Sequence, residues 1–435
     1  MHYQKLQILK CLKIKTQTGN IEMSKIADKT LAEKGKRSYE WAYKNMPTLV
    51  TAIHNTEKNF SFKDTKIAVC LHVTKETSVL AMGLKKLGAE VYLAGANPLS
   101  TQDDIAAYLD SEGINVFAWR GQNDKEYQEC IDEIVRANPE IIMDDGSDAH
   151  ITLHQNDEFK SNNVIGGTEE TTTGVVRLEA LEKDGKLRYP IIAVNNAYTK
   201  HLFDNRYGTG QSTFDGILRA TALLMAGKKI TVCGYGWVGK GIAARAKGLG
   251  AIVSVSEIDP IRAIEAVMDG FNVRPISELA KESDIFITAT GQKHVIDKNC
   301  INNLKNGAVL ANAGHFDLEI DVAFLQETTK DAKIIRDNLE EYELENGNKV
   351  FLVAKGRIAN LVAAEGHPPE VMSLSFSNQL LGAVKIKLDH KKLNGLIDMP
   401  KDIDERVAMY ALKGMNIEID TQTQEQKDYG NSWVV

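Results

Sequence analysis

The sequence predicts an α/β protein made of two Rossmann-like open parallel sheets, the second unit inserted into the first. Three observations carry this. Short β-branched runs alternate with helical stretches over 66–196 and again over 229–360, the pattern of parallel strands joined by crossover helices. A chain of 435 residues is longer than one hydrophobic core organises, so two units are expected. Past Asn360 an apolar helical stretch, "LVAAEGHPPEVMSLSFSNQLLGAVKIKL", belongs to neither series. Packed back on the first sheet, it makes that unit discontinuous, with a cleft that closes by hinge motion near Asn205 and His367.

Taken in order, residues 1–22 are basic at the start but lack an apolar core followed by a small-residue cleavage site, so no secretory signal is expected. They read as a loose extension or a mis-assigned start before "MSKIADKTLAEKGKRSYEWAYKNMP". The first series of strands is "IAVCLHV" (67–73), "AEVYLAG" (89–95), "NVFAW" (115–119), "EIIMDDG" (140–146), "NVIGG" (163–167) and "IIAVNN" (191–196). Polar residues crowd their carboxyl ends: His72, Thr74, Asn97, Asp145, Glu169, Glu170, Asn195 and Asn196. Open α/β sheets bind small molecules there. The same residue types also cap helices, and Ser100 to Asp103, before "IAAYL", read as such a cap.

The second series is "ITVCGYG", "AIVSVSE", "SDIFITATG", "GAVLANAGH" and "VFLVAKGRIAN". Gly234, Gly236 and Gly239 form G-x-G-x-x-G between its first strand and an Ala-rich helix, with Glu257 about twenty residues further on. Such glycines let backbone N–H groups approach a pyrophosphate at a helix N-terminus. An acid at Glu257 accepts from the adenosine ribose hydroxyls and disfavours a 2′-phosphate, which selects NAD; Arg262 nearby could instead receive that phosphate. The expected division is 23–197 with 368–400 for substrate, 198–367 for NAD, and 401–435 as a C-terminal interface segment.

Composition narrows the function class. Hydrophobic residues make up 43% and charged residues 26%, as in ordinary globular chains. A net charge of −7 with mixed signs argues against a nucleic-acid surface. Five scattered cysteines, Cys11, Cys70, Cys130, Cys233 and Cys300, with no C-x-x-C pair, read as reduced cytoplasmic thiols. No apolar run is long enough to span a bilayer.

Between the two series lies "VNNAYTKHLFDNRYGTGQS" (194–212), which gathers Lys200, His201, Asp204 and Asn205 in one short connection. A lysine beside a carboxylate can take a proton from an alcohol as hydride leaves the same carbon; equally, such a pair can be a surface salt bridge. The connection is polar, so loss of Lys200 is expected to leave no cavity. His150 and His154, spaced H-x-x-x-H near Asp148, could ligate zinc, but no glutamate stands between them as in H-E-x-x-H, and no metal is assigned.

The motifs "HVTKET", "NPLSTQDDIAA", "DDGSD", "EETTTG", "TKHLFDNRYG", "GYGWVGKG", "NAGHFDLEI" and "GRIANLVAAEGHPPEVM" together resemble the S-adenosylhomocysteine hydrolase family, in the same order from about Ser24 to near the end. That resemblance implies one tightly held NAD per subunit, used and regenerated within each turnover. The ribose 3′-hydroxyl is oxidised, the C4′ proton is lost, homocysteine leaves by β-elimination, water adds, and the ketone is reduced to give adenosine. Carried over residue by residue, Lys200 as base and Asp204 act at the 3′-hydroxyl, Asp145 at C4′, and His72, with Asp148, on the leaving thiolate and incoming water. Thr74, Glu76, Glu170 and His367 match substrate contacts. Thr171, Thr172, Thr173, Asn205, Trp237, Val238, Glu257, Ala313, Gly314, His315 and Asn360 match cofactor contacts, and His315 also reaches the reacting ribose. Glu76 implies an adenine rather than a hypoxanthine base, because an ionised carboxylate only accepts hydrogen bonds.

Three departures from the family pattern stand out. Trp237 replaces a common Asp after the second glycine, Thr209 stands where Cys is frequent, and "QKDYGNSWVV" lacks the Lys/Tyr tail of many members, as in short archaeal and thermophilic-bacterial forms. A homotetramer is the expected assembly. An S-inosylhomocysteine hydrolase, an ordinary NAD-dependent dehydrogenase and a silent NAD-binding regulator are the alternatives at this point.

Overall fold

The structure, a computed structural model, describes residues 24–159, 163–329 and 332–433; the expectation for residues 1–22 lies outside these. The first sheet contains β1 (Lys66–Cys70), β2 (Glu90–Ala94), β3 (Asn115–Phe117), β4 (Ile141–Asp144), β5 (Gly166–Glu169), β6 (Ile191–Ala193) and, from far down the chain, β15 (Leu396–Asp398). Its order is β15-β6-β5-β4-β1-β2-β3, and every pairing is parallel. From β1 the chain winds outward one way to β3, then returns to β4 and winds the other way. The reversal opens a crevice at the carboxyl ends of β1 and β4, where His72 and Asp145 follow.

The second sheet contains β7 (Lys229–Cys233), β8 (Ile252–Ser256), β9 (Asn272–Val273), β10 (Ile285–Thr288), β11 (Ala308–Asn312), β12 (Lys333–Arg336), β13 (Leu339–Glu343) and β14 (Lys349–Val353). Its order, β12-β13-β14-β11-β10-β7-β8-β9, puts the reversal between β7 and β10, directly beyond the glycine turn. The sheet is mixed, not wholly parallel as the sequence suggests, because β12, β13 and β14 pair antiparallel. The lone turns between these strands are too short for a crossover helix, so only hairpins can connect them. β12 is exposed along its length and closes the edge.

Each sheet is covered on both faces. The first lies between an apolar cluster including Leu80, Leu84, Ile105 and Leu380 and another including Ile131, Ile134 and Leu153. The second lies between clusters around Ile242 and Ile217 and around Ile301 and Leu325. Strands buried on both faces read as continuous apolar runs, which is why these were visible in the sequence. The helix Pro369–Asp389 is buried along most of its length and packs on the first sheet; its Ser373 hydroxyl accepts from the Leu49 N–H at 3.0 Å. The helix Lys401–Gly414 packs beside it, contributing Val407 and Ala411 to the same core. Among the described residues no helix is long and apolar enough to cross a membrane.

Candidate active site

A cavity of about 700 Å³ lies between the carboxyl ends of the two sheets. Residues from both units line it, including His72, Thr74, Glu76, Asp145, Glu170, Thr171, Thr172, Thr173, Lys200, Asp204, Asn205, Gly234, Gly236, Trp237, Val238, Glu257, Arg262, Ala313, Gly314, His315, Asn360 and His367. Of the residues that the sequence points to as cofactor-binding, Gly239 does not line the cavity. It is buried beneath the turn, where a Cβ would overlap the Gly234 carbonyl oxygen. Its role is close helix-to-strand packing and not contact with a ligand.

The Lys200 connection is helical. Tyr198–Lys200 leads into a widened helical stretch, His201–Gly208, which continues as the helix Thr209–Thr221. Such wide turns recur at functional sites, and here the turn brings both Asp204 and Asn205 under Lys200. The Lys200 ammonium lies 2.7 Å from Asp204 Oδ2, 2.8 Å from Asn205 Oδ1 and 3.8 Å from Glu170 Oε1. Lys200 is only 3% exposed. The polar-connection reading is therefore corrected: removing this side chain would leave a buried cavity and uncompensated carboxylates.

Burial disfavours the Lys200 ammonium, but Asp204 and Glu170 outweigh it and raise the lysine's pKa. The resting side chain is an ammonium, so it must give up its proton before it can serve as a base. Asp204 is buried, yet Lys200 and then His367 hold its carboxyl well below the usual range. Glu170 is pushed up to about 7 by burial, against the pull of Lys200. Ser375 and Gln379, one turn apart on the helix Pro369–Asp389, donate to its two oxygens.

His367 places Nδ1 against Asp204 Oδ1, while Nε2 faces the Thr209 hydroxyl at 3.2 Å and the Asn360 amide nitrogen at 3.0 Å. An amide nitrogen only donates, so Nε2 accepts and Nδ1 carries the proton toward Asp204. Both ring nitrogens are thus engaged, which leaves the ring carbons and main chain of His367 to meet a ligand. Thr209 does in this network what a hydroxyl can and a thiol does weakly.

Asp145 sits between two histidines: Oδ2 is 3.6 Å from His72 Nε2 and Oδ1 is 3.6 Å from His315 Nδ1. Burial lowers the His72 pKa to about 4, so the ring is neutral near pH 7. Its Nδ1 lies 2.7 Å from Ser100 Oγ, and Ser100 donates its own proton to the Asn97 carbonyl at 3.1 Å. A Ser100 hydroxyl that donates to Asn97 accepts from Nδ1–H, and in that tautomer Nε2 carries a lone pair facing Asp145. This overturns the capping role for Ser100: the helix Asp103–Ser111 starts after Gln102 and has no side-chain cap. Gly146 is required beneath His315, whose ring occupies the place of a Cβ.

Two expectations are relocated. Asp148 accepts from Tyr127 at 2.9 Å and pairs with Arg177 at 2.7 Å, so both of its oxygens are engaged, and it does not line the cavity as His72 does. The His150 ring nitrogens meet Tyr189 Oη at 3.0 Å and the Thr168 carbonyl at 3.3 Å. Those of His154 meet the His150 carbonyl at 2.6 Å and the Arg188 N–H at 3.2 Å. This pair holds the fold together and has no nitrogen left for zinc. Glu169, buried behind the cavity, accepts from the Gly146 and Thr171 N–H groups, both at 2.9 Å.

On the other side of the cavity, Gly234 has φ +96°, a conformation that side chains avoid. The helix Trp237–Gly248 begins just beyond, with no side-chain cap on its first N–H groups, and its first residues, Trp237 and Val238, line the cavity. Glu257 accepts the Tyr235 N–H at 2.6 Å and the Ile258 N–H at 2.7 Å, which fixes its carboxylate beside the turn. Two buried oxygens, Thr173 Oγ1 and Asn360 Oδ1, have no hydrogen-bond partner. Buried polar atoms are seldom left unpaired, so these fit a ligand with donors and acceptors along its length, as NAD has. Trp237 stacks on His201, ring centres 5.4 Å apart, with the Lys240 ammonium 4.4 Å from its indole centre.

Sequence reasoning missed Ser100, Ser375 and Gln379, and also Asp404, which accepts from the Tyr198 and Thr199 N–H groups at 2.6 and 2.9 Å and so pins the start of the Lys200 helix. The run "SLSFSNQL" carried a signal, since polar residues one turn apart inside an apolar helix need buried partners.

Comparison with known proteins agrees with this geometry. The family model for the S-adenosyl-L-homocysteine hydrolase NAD binding domain matches residues 205–366, and that for S-adenosyl-L-homocysteine hydrolase matches 23–165. An adenosylhomocysteinase of Sulfurisphaera tokodaii is 56% identical over 94% of this chain and 98% of its own. One from Saccharolobus solfataricus is 54% identical over the same shares. An S-inosyl-L-homocysteine hydrolase of Methanocaldococcus jannaschii is 49% identical over 94% of this chain and 99% of its own. With its cofactor turn, its paired proton-transfer groups and these matches along nearly the whole chain, the protein belongs to the NAD-dependent S-adenosyl-L-homocysteine hydrolase family.

Proposed function

We propose that the protein hydrolyses S-adenosyl-L-homocysteine reversibly to adenosine and L-homocysteine, with NAD bound throughout. One observation carries this reading: a Lys200–Asp204 pair and an Asp145 carboxylate flanked by His72 and His315 face one cavity beside a dinucleotide turn. A simple dehydrogenase needs the first set alone.

NAD, when bound, supplies reversible hydride storage for the ribose C3′. Thr171 to Thr173, Asn205, Gly234, Gly236, Trp237, Val238, Glu257, Ala313, Gly314, His315 and Asn360 would hold it. The proton of the 3′-hydroxyl passes to Lys200 once the resting one has moved to Glu170, the nearby carboxylate raised to about 7, while Asp204, backed by His367, holds the lysine in place. Asp145 takes the C4′ proton made acidic by the neighbouring ketone, and the C5′–S bond breaks. That proton then moves from Asp145, through His72 Nε2, to the leaving thiolate. Water enters by the reverse path: His72 Nε2 accepts its proton, hydroxide bonds to C5′, and Asp145 returns a proton to C4′. The protons balance over the cycle, so the net change is cleavage of one C–S bond by water.

The preferred base is adenine. Glu76 is 1% exposed and lines the cavity, and its Oε1 has the Lys75 ammonium 3.3 Å away but makes no hydrogen bond. An ionised carboxylate accepts from a 6-amino group but repels a 6-carbonyl, which leaves the wrong base unpaired at a cost of about 1–3 kcal/mol. We assign residues 23–197 and 368–400 to substrate, with the helix Lys401–Gly414 completing that unit's core, 198–367 to NAD, and the rest of 401–435 to subunit contacts of a cytoplasmic homotetramer with no nucleic-acid partner. The test is to add S-adenosylhomocysteine to the purified protein without NAD and follow free thiol and adenosine. Failure to release either from protein that contains NAD refutes the reading.

A further inference from the structure

Glu76 is not alone at the base end of the cavity. The preceding residue, Lys75, starts the same helix, Lys75–Lys86, and its ammonium lies 3.3 Å from Glu76 Oε1. The same ammonium lies 3.3 Å from Glu365 Oε2, which comes from the segment that leaves the second unit. The Lys75 and Glu76 side chains are only 12% and 2% exposed, whereas Glu365 is 59% exposed, so the Lys75–Glu76 contact is the desolvated arm of the triplet, where charge interactions are strong.

The Glu365 segment is fixed on the first unit at three points. Arg120 donates to the Val362 carbonyl at 2.5 Å, Gln102 Nε2 to the Glu365 carbonyl at 3.3 Å, and Lys75 to the Glu365 carboxylate. Gln102 also accepts the Lys75 N–H at 3.1 Å, so one side chain sets both partners. Behind Glu365 stands Arg219, 3.5 Å away. The same cavity is also lined by titratable groups that include His72, Asp145, Glu170 and His367.

We propose that Lys75 is a positioning residue for base selection: clamped by Glu365 across the cleft, it keeps Glu76 ionised and oriented to accept from a 6-amino purine. Burial by itself raises the Glu76 pKa, and Lys75 is the largest opposing influence. Without Lys75 the carboxyl takes up a proton, gains a donor, and can pair with a 6-carbonyl. The clamp crosses between the units, so selection is complete only when they meet. The inference rests on the proposed hydrolysis and on Glu76 as the base reader.

The experiment measures kcat/KM for S-adenosylhomocysteine and S-inosylhomocysteine in the wild type, Lys75→Met, Lys75→Arg and Glu365→Gln, all loaded with NAD. The wild type should prefer the adenosyl compound, and turnover of neither would sink the hydrolase reading itself. Lys75→Met should lower the adenosyl-to-inosyl ratio about tenfold or more, chiefly through KM for the adenosyl substrate. Lys75→Arg should restore most of the ratio, and Glu365→Gln should lower it less. A folded Lys75→Met enzyme whose ratio is unchanged or raised overturns the proposal. Should Lys75→Met fail to fold, an unchanged ratio in Glu365→Gln overturns it instead.

Discussion

Replacing Lys200 with methionine keeps most of the side-chain volume and removes only the charge, which separates chemistry from packing. The ammonium lies 2.7 Å from Asp204 and 2.8 Å from Asn205, in a site 3% exposed. Removing one partner of a buried pair costs about 3–5 kcal/mol, because the other charge is left unpaired. The sign with pH follows from Asp204. Its folded pKa is depressed in the wild type, so its stabilisation is present above the unfolded value, about 3.9, and lost only in strong acid. In Lys200→Met that pKa rises above the unfolded value, and the variant recovers stability as acidification protonates Asp204 and Glu170. Urea unfolding, with cofactor content matched, should show the full deficit at pH 8 and a smaller one at pH 6. Reduction of bound NAD on adding adenosine should slow by roughly 10²–10⁴-fold, the usual worth of a placed proton-transfer group. Wild-type stability at both pH values together with wild-type NAD reduction would refute the reasoning.

The Ser100–His72 contact predicts that Ser100→Ala slows thiol release while leaving NAD reduction by adenosine near normal, since only the His72 tautomer loses its fixed partner; equal loss of both rates would contradict this. Glu170, with a folded pKa of about 7 above its unfolded value of about 4.3, favours the folded state at low pH, and that advantage fades as pH rises toward 7. Glu170→Gln should therefore flatten the stability profile between those values in urea titrations, and an unchanged slope would show that another group is responsible.

Much of the fold was legible because its strands are buried on both faces and bounded by glycines and caps. The β7 turn and Glu257 also stood out, since a dinucleotide fold repeats the same backbone demand. What escaped had weak local signals. β15 is three residues long, and the β12–β13 edge is charged and amphipathic rather than apolar. The Lys200 segment read as a polar loop because its residues are polar, yet tertiary burial makes it a helix with its charges inward. Ser100 looked like a cap by residue type, and only the distance to His72 reveals its work. Gly239 matched the motif correctly but serves packing, a distinction that sequence spacing does not carry. Lys75 lay unread beside Glu76, because its partner Glu365 is remote in sequence.

The claim at the centre is that NAD is consumed and restored within each turnover. The direct measurement is nicotinamide absorbance during sustained S-adenosylhomocysteine cleavage by the copurified holoenzyme, with thiol counted in parallel. Many thiols should be released per bound NAD, with only a small steady fraction of the cofactor reduced and none lost to solution. One NADH accumulating for each substrate consumed would contradict it and identify a dehydrogenase.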